Sequence, residues 1–134
     1  MIMRITSKKQ IEEKTDLKNL KTEIVELKNS TLNKIKQKFE DKNIISIYMT
    51  VNNNDLQIEF GEGFCFIEMM NEEKAEIYVF VNPEGKRDEF MDLYANSYKK
   101  STLCYNINDV IEIIKAFSVN GEPNSQYQWE VMPM

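Results

Sequence analysis

The sequence predicts an α+β fold, a curved antiparallel β-sheet of about five to seven strands with helices packed on one face. Three observations carry this expectation. Between Ile44 and Val81 apolar residues alternate with polar ones in strand-length runs, and the connections between runs are too short for a parallel crossover. Segments 31–42 and 106–120 instead space their apolar residues by three and four, as helices do. The four glycines and three prolines fall between these runs, where turns belong. No linker, repeat or low-complexity tract divides the 134 residues, so residues 1–134 read as one domain.

Taken in order, the N-terminal part is ambiguous. Leu17, Leu20, Ile24 and Leu27 follow a helical stripe, while Thr22 to Leu27 also reads as a short strand, so 15–28 is helix or strand. Ser30 or Thr31 is the expected cap of a helix over 31–42, with Leu32, Ile35 and Phe39 on its apolar side and lysines outside. Ile45, Ile47, Met49 and Val51 then alternate with Ser46, Tyr48 and Thr50, which predicts a strand with one buried face. Leu56, Ile58 and Phe60 predict the next strand, and Gly61-Glu62-Gly63-Phe64 a β-turn after it. That turn lacks the later glycine, the lysine and the following helix of a phosphate-binding loop. Phe64–Met70 and Ala75–Val81 complete a meander, joined by Asn71-Glu72-Glu73-Lys74. Phe90–Tyr94 and Thr102–Tyr105 are weaker signals, each a strand or a turn. The last helix is capped by Asn106 or Asn108, buries Val110, Ile111, Ile114 and Phe117, and stops at Gly121 and Pro123. A strand over Tyr127–Val131 follows, with Trp129 expected as a core anchor.

Composition narrows function mainly by exclusion. Histidine is absent, which removes imidazole bases, Ser-His and Cys-His nucleophile pairs, and histidine zinc sites. The two cysteines, Cys65 and Cys104, are too few for a thiolate metal site and read as small buried hydrophobes; a disulfide between them is not implied. No cofactor is expected. No run approaches the roughly 18 apolar residues of a membrane span, and no apolar stretch follows the charges of MIMRITSKKQ, so a cytoplasmic protein without a membrane partner is expected.

Charge is unevenly distributed within the net −5. Residues 1–42 carry 11 basic and 7 acidic side chains, interleaved along what reads as a solvated helix face and not as a nucleic-acid platform. Between Asp55 and Glu76 lie seven acids against Lys74 alone. Glu59 and Glu68 would project from neighbouring strands. A carboxylate acid–base pair or magnesium site is conceivable there, but a solvated or partner-binding face is the stronger reading. The expected contact residues are Asp55, Glu59, Glu62, Glu68, Glu72 and Glu73, with Tyr78 as a candidate aromatic anchor; one or both of Tyr48 and Tyr78 face outward, or they pack half-buried.

The stretch Asn108-Asp109-Val110-Ile111-Glu112-Ile113-Ile114-Lys115-Ala116-Phe117, then Asn120-Gly121-Glu122-Pro123, then Trp129-Glu130, resembles the C-terminal signature of the first-numbered immunity family of bacterial polymorphic-toxin systems. That signature is a helix ending in an aromatic, a glycine–proline turn, and a strand carrying tryptophan and an acid. The resemblance covers about residues 22–132 by order of elements. Residues 1–20 have no counterpart and read as an extra N-terminal segment. The resemblance implies a contact-dependent-inhibition-type immunity protein: non-enzymatic, cytoplasmic, and bound to a cognate toxin domain, often a nuclease or a nucleic-acid deaminase. An acidic sheet would occlude the toxin's basic cleft. Phe117, Gly121, Pro123 and Trp129 would then be structural, placing the last helix against the sheet. The rival readings are an adaptor offering an edge strand, a carboxylate–metal enzyme, and a homodimer through Leu17, Leu20, Ile24 and Leu27.

Overall fold

The computed structural model describes residues 2–8 and 20–134. Its elements are β1 (Ile2–Lys8), β2 (Leu20–Glu26), α1 (Asn29–Glu40), β3 (Ile44–Val51), β4 (Asn54–Phe60), β5 (Cys65–Asn71), β6 (Glu76–Val81), β7 (Phe90–Leu93), β8 (Asn96–Lys99), a 3-10 turn (Lys100–Thr102), β9 (Leu103–Cys104), α2 (Ile107–Asn120) and β10 (Gln128–Pro133). The main sheet runs β10-β6-β5-β4-β3-β1-β2, with β9 added beside β5, and every pairing in it is antiparallel. The α+β expectation is met, with eight strands in the sheet.

Alternation decides which face is covered. Met3, Ile5, Ile47, Met49, Leu56, Ile58, Ile67, Met69 and Phe80 belong to one buried cluster with Leu32 and Ile35 of α1 and Val110, Ile111, Ile114 and Phe117 of α2. Both helices therefore pack on one side of the sheet. The other side is open except where the β7–β8 hairpin folds over one corner, in a second cluster of Phe64, Leu93 and Leu103 edged by Phe66, Met91 and Tyr98.

Several expectations need correcting. The opening residues are no appendage: β1 lies between β3 and β2, with Met3 and Ile5 at 1% and 2% exposure. β2 is antiparallel to β1 and β1 to β3, so β2 and β3 run parallel, and α1 is the crossover between them. From Leu20 the ambiguous segment is strand, so the helical stripe does not form there. Leu20 and Ile24 face outward, Leu27 packs on the core, and Leu17 lies outside the described residues. The first helix begins at Asn29 with Lys28 as its cap residue, two residues before the expected start. Thr31 sits inside the first turn, where its hydroxyl donates to Glu26 O at 2.6 Å and accepts from Lys28 N, tying the helix back to β2. Phe90–Leu93 is a strand because Asn96–Lys99 pairs with it across the Tyr94–Ala95 turn. Of the Thr102–Tyr105 signal only Leu103–Cys104 forms strand.

The last helix follows its signals closely. Asn106 caps it by accepting from Asn108 N at 2.9 Å, and Gly121 ends it in the left-handed region at φ 75°. Trp129 is half-buried, not a full core anchor. It packs edge-on to Phe80 at 5.9 Å, and its Nε1 donates to Asn124 O at 2.9 Å. Among the described residues no helix is long and apolar enough to cross a membrane.

Candidate functional site

Strand register decides which of the acids meet. Glu59 stands opposite Phe66, and Glu68 opposite Gln57, so the two glutamates are diagonal neighbours on the open face. In antiparallel sheets such diagonals lie about 7–8 Å apart. Asp55 shares their face one turn of the pleat beyond Gln57, and Thr50 donates to its Oδ1 at 2.8 Å. The β8 strand stands over this spot as a wall. Its Tyr98 stacks on Phe66 at 4.1 Å between centroids, and its hydroxyl donates to Glu59 Oε2 at 2.9 Å. Gln57 reaches the other Glu59 oxygen at 3.4 Å. The result is a recess of about 190 Å³ lined by Gln57, Glu59, Phe66, Glu68, Asn96, Ser97 and Tyr98.

The recess has a marked electrostatic character. Partial burial pushes the Glu68 carboxyl above its ordinary range, and the charge of Glu59 pushes it further. Tyr98 is pushed up to about 12 by burial and by its bond to Glu59, so it is a neutral donor, not a proton-transfer group near neutrality. Two carboxylates with an aromatic wall suit a cationic group that slides in: an ammonium or guanidinium would lower the mutual repulsion and stack on Tyr98. Among the described residues no three Cys, Asp or Glu side chains converge as a metal-binding group.

The remaining sequence candidates lie elsewhere. Glu62 is in the turn after β4, while Glu72 and Glu73 are in the turn after β5, at the opposite end of a seven-residue strand. That strand is about 24 Å long, beyond a Debye length at physiological salt. Tyr78 stands opposite Met69 and packs toward the helix-covered face, where its hydroxyl donates to Glu76 at 2.6 Å; that bond and partial burial raise it to about 12. It cannot share a docking surface with Glu59 and Glu68. Tyr48 does face outward, beneath the guanidinium of Arg4 at 5.7 Å from the ring centroid. Glu130 of β10 joins the open face in register with Val79 and Glu68. Sequence reading missed Gln57, Phe66, Glu130 and Tyr98. The first three carry the right strand parity, but Tyr98 is brought in by a hairpin whose docking has no local signal.

The structural residues gather around the end of α2. Phe117 is fully buried, the Gly121 N–H donates to Phe117 O at 2.7 Å, and Gly121 O accepts from the buried Asn54 side chain at 3.0 Å. Pro123 and Trp129 follow, both half-buried, in the return to β10.

No protein-family model and no curated protein matches the chain. Among solved structures, the crystal structure of a hypothetical protein from Neisseria gonorrhoeae is similar with a TM-score of 0.57, at 17% identity, over 93% of this chain and 92% of that one. At that identity the likeness concerns the fold, which the two chains share almost end to end.

Proposed function

We propose that the protein is a non-catalytic binding protein of the immunity type, which neutralises a bacterial toxin domain by covering a basic cleft with the open face of its sheet. The observation that supports this reading most is the convergence of Glu59 and Glu68 in one aromatic-walled recess, with Asp55 beside them, on the sheet face that the helices leave uncovered. Such a face attracts a cleft built to hold phosphates, and Tyr98 and Tyr48 offer the rigid aromatic surface on which interface affinity concentrates. The contact set is Asp55, Glu59, Glu68 and Tyr98; Glu62, Glu72, Glu73 and Tyr78 fall outside it. Cytoplasmic residence and a nuclease or deaminase target belong to the same proposal.

The test is co-purification with the product of the gene immediately upstream, followed by affinity measurement across salt. Glu59→Lys with Glu68→Lys weakens the complex at low salt by 10-fold or more, on the order of two charge pairs, and flattens its salt dependence. Unchanged affinity at low and high salt rejects this face. A second reading, an adaptor bound by strand addition, is favoured by the edge position of β2 and the 71% exposure of Ile24. Thr22→Pro separates the two, because it blocks strand addition and leaves the acidic recess intact.

A further inference from the structure

Cys65 and Cys104 are far apart in sequence but adjacent in space. Cys65 opens β5 and Cys104 closes β9, and the two stand directly opposite in antiparallel register, both as free thiols. Directly opposed antiparallel residues have Cα atoms about 4.5–5.5 Å apart, inside the roughly 4.4–6.8 Å that a disulfide spans. The Cys104 thiol donates to Asn106 O at 3.4 Å.

Both sulfurs belong to the buried main core, Cys65 at 0% and Cys104 at 2% exposure. Cys104 also lines a cleft of about 580 Å³, together with Phe80–Glu84, Asn106, Asp109 and Gln126–Gln128. That volume is within the roughly 300–1,000 Å³ of small-molecule clefts. Burial pushes the Cys65 thiol well above the ordinary cysteine range. The pair thus has one cysteine bordering the cleft and one opposite it in the core.

We propose that Cys104 is a thiol–disulfide exchange site whose substrate is a small disulfide of the oxidised-glutathione class, with Cys65 as the resolving thiol. In the first step the Cys104 thiolate attacks one sulfur of the small disulfide. A bond forms between Cys104 Sγ and that sulfur, the original S–S bond breaks, and one small thiolate leaves. Cys65 then gives up its proton and attacks Cys104 Sγ, forming the Cys65–Cys104 disulfide and releasing the second small thiolate. The two protons of the protein thiols end on the two leaving groups, so one small disulfide is reduced as one protein disulfide forms. The new bond ties β9, and with it the start of α2, to β5.

The experiment exposes the native full chain to oxidised glutathione and follows intact mass and the linked peptides. Wild type loses about 2 Da, carries no lasting adduct, yields a Cys65–Cys104 peptide, and reverts with dithiothreitol. Its melting temperature rises by about 10 °C, as expected for closing a loop of this length. Cys65→Ser accumulates a single glutathione adduct on Cys104 of about 305 Da, and Cys104→Ser leaves Cys65 unmodified while folded. If a variant fails to fold, the wild-type mass alone decides. A lasting adduct on wild type, no oxidation of the native chain, or equal reactivity of Cys65 in Cys104→Ser overturns the proposal.

Discussion

Replacing Gly121 by alanine tests how the C-terminus of α2 is held to the sheet, and Gly63 supplies the internal control. Both glycines have φ in the left-handed region, 75° and 85°, so either substitution incurs the left-handed penalty of an L-residue, about 1–2 kcal/mol. Their surroundings differ. A Cβ on Gly63 meets nothing within 4 Å, whereas one on Gly121 falls 2.6 Å from Val51 O and 3.1 Å from Asn54 Nδ2. The Val51 carbonyl is backbone in the core strand β3, and Asn54 is held by its bond to Gly121 O, so neither yields without disturbing the β3–β4 turn. Forced overpacking costs about 1–3 kcal/mol. Gly63→Ala should therefore lose about 1–2 kcal/mol and Gly121→Ala about 2–5 kcal/mol, with the difference reporting the contact alone. Urea unfolding of the two variants beside wild type, with m-values checked for constancy, measures it. Losses that agree within about 0.5 kcal/mol would refute the close approach of α2's end to β3.

Two further outcomes concern the recess. Glu68 has its folded pKa raised above the unfolded one, so the stability it contributes is fully present below the ordinary glutamate range and is lost as pH rises through the folded value. Glu68→Gln therefore gains on wild type as pH increases from about 4 to 7, read as the difference between two urea midpoints at each pH; a difference independent of pH contradicts the burial of that carboxyl. Tyr98→Phe keeps the stack on Phe66 but removes the 2.9 Å bond to Glu59, and should cost about 0.5–1.5 kcal/mol by the same unfolding assay. No loss would mean that water replaces the hydroxyl without penalty.

Much of the architecture was legible because burial repeats locally. From Ile44 to Val81 the chain alternates with the period of a half-covered sheet, and each of those four runs is a strand within a residue or two of its expected limits. The last helix was legible through Asn106, Gly121 and Pro123, whose chemistry acts on adjacent backbone. The candidate site was legible only as far as parity goes. Glu59 and Glu68 were correctly paired, because both lie mid-strand in a hairpin whose short turn sets the register. The face of Tyr78 was open in the sequence because its run, Ile77-Tyr78-Val79-Phe80, has no polar alternation to mark inside from outside. Near β2, tertiary pairing with β1 overrode a helical spacing that Leu20, Ile24 and Leu27 carry equally well.

By itself the sequence determined the α+β class, the meander and the two helices, all consequences of apolar period and backbone chemistry acting over a few residues. The tertiary structure decided the rest: β1 set between β3 and β2, the hairpin laid over the open face so that Tyr98 walls the Glu59–Glu68 recess, and Cys104 brought opposite Cys65. Apart from the β1–β2 pairing, each of these is a contact between segments 30 or more residues apart, and such contacts depend on which surfaces fit once the core has closed, a quantity no local pattern of residues encodes.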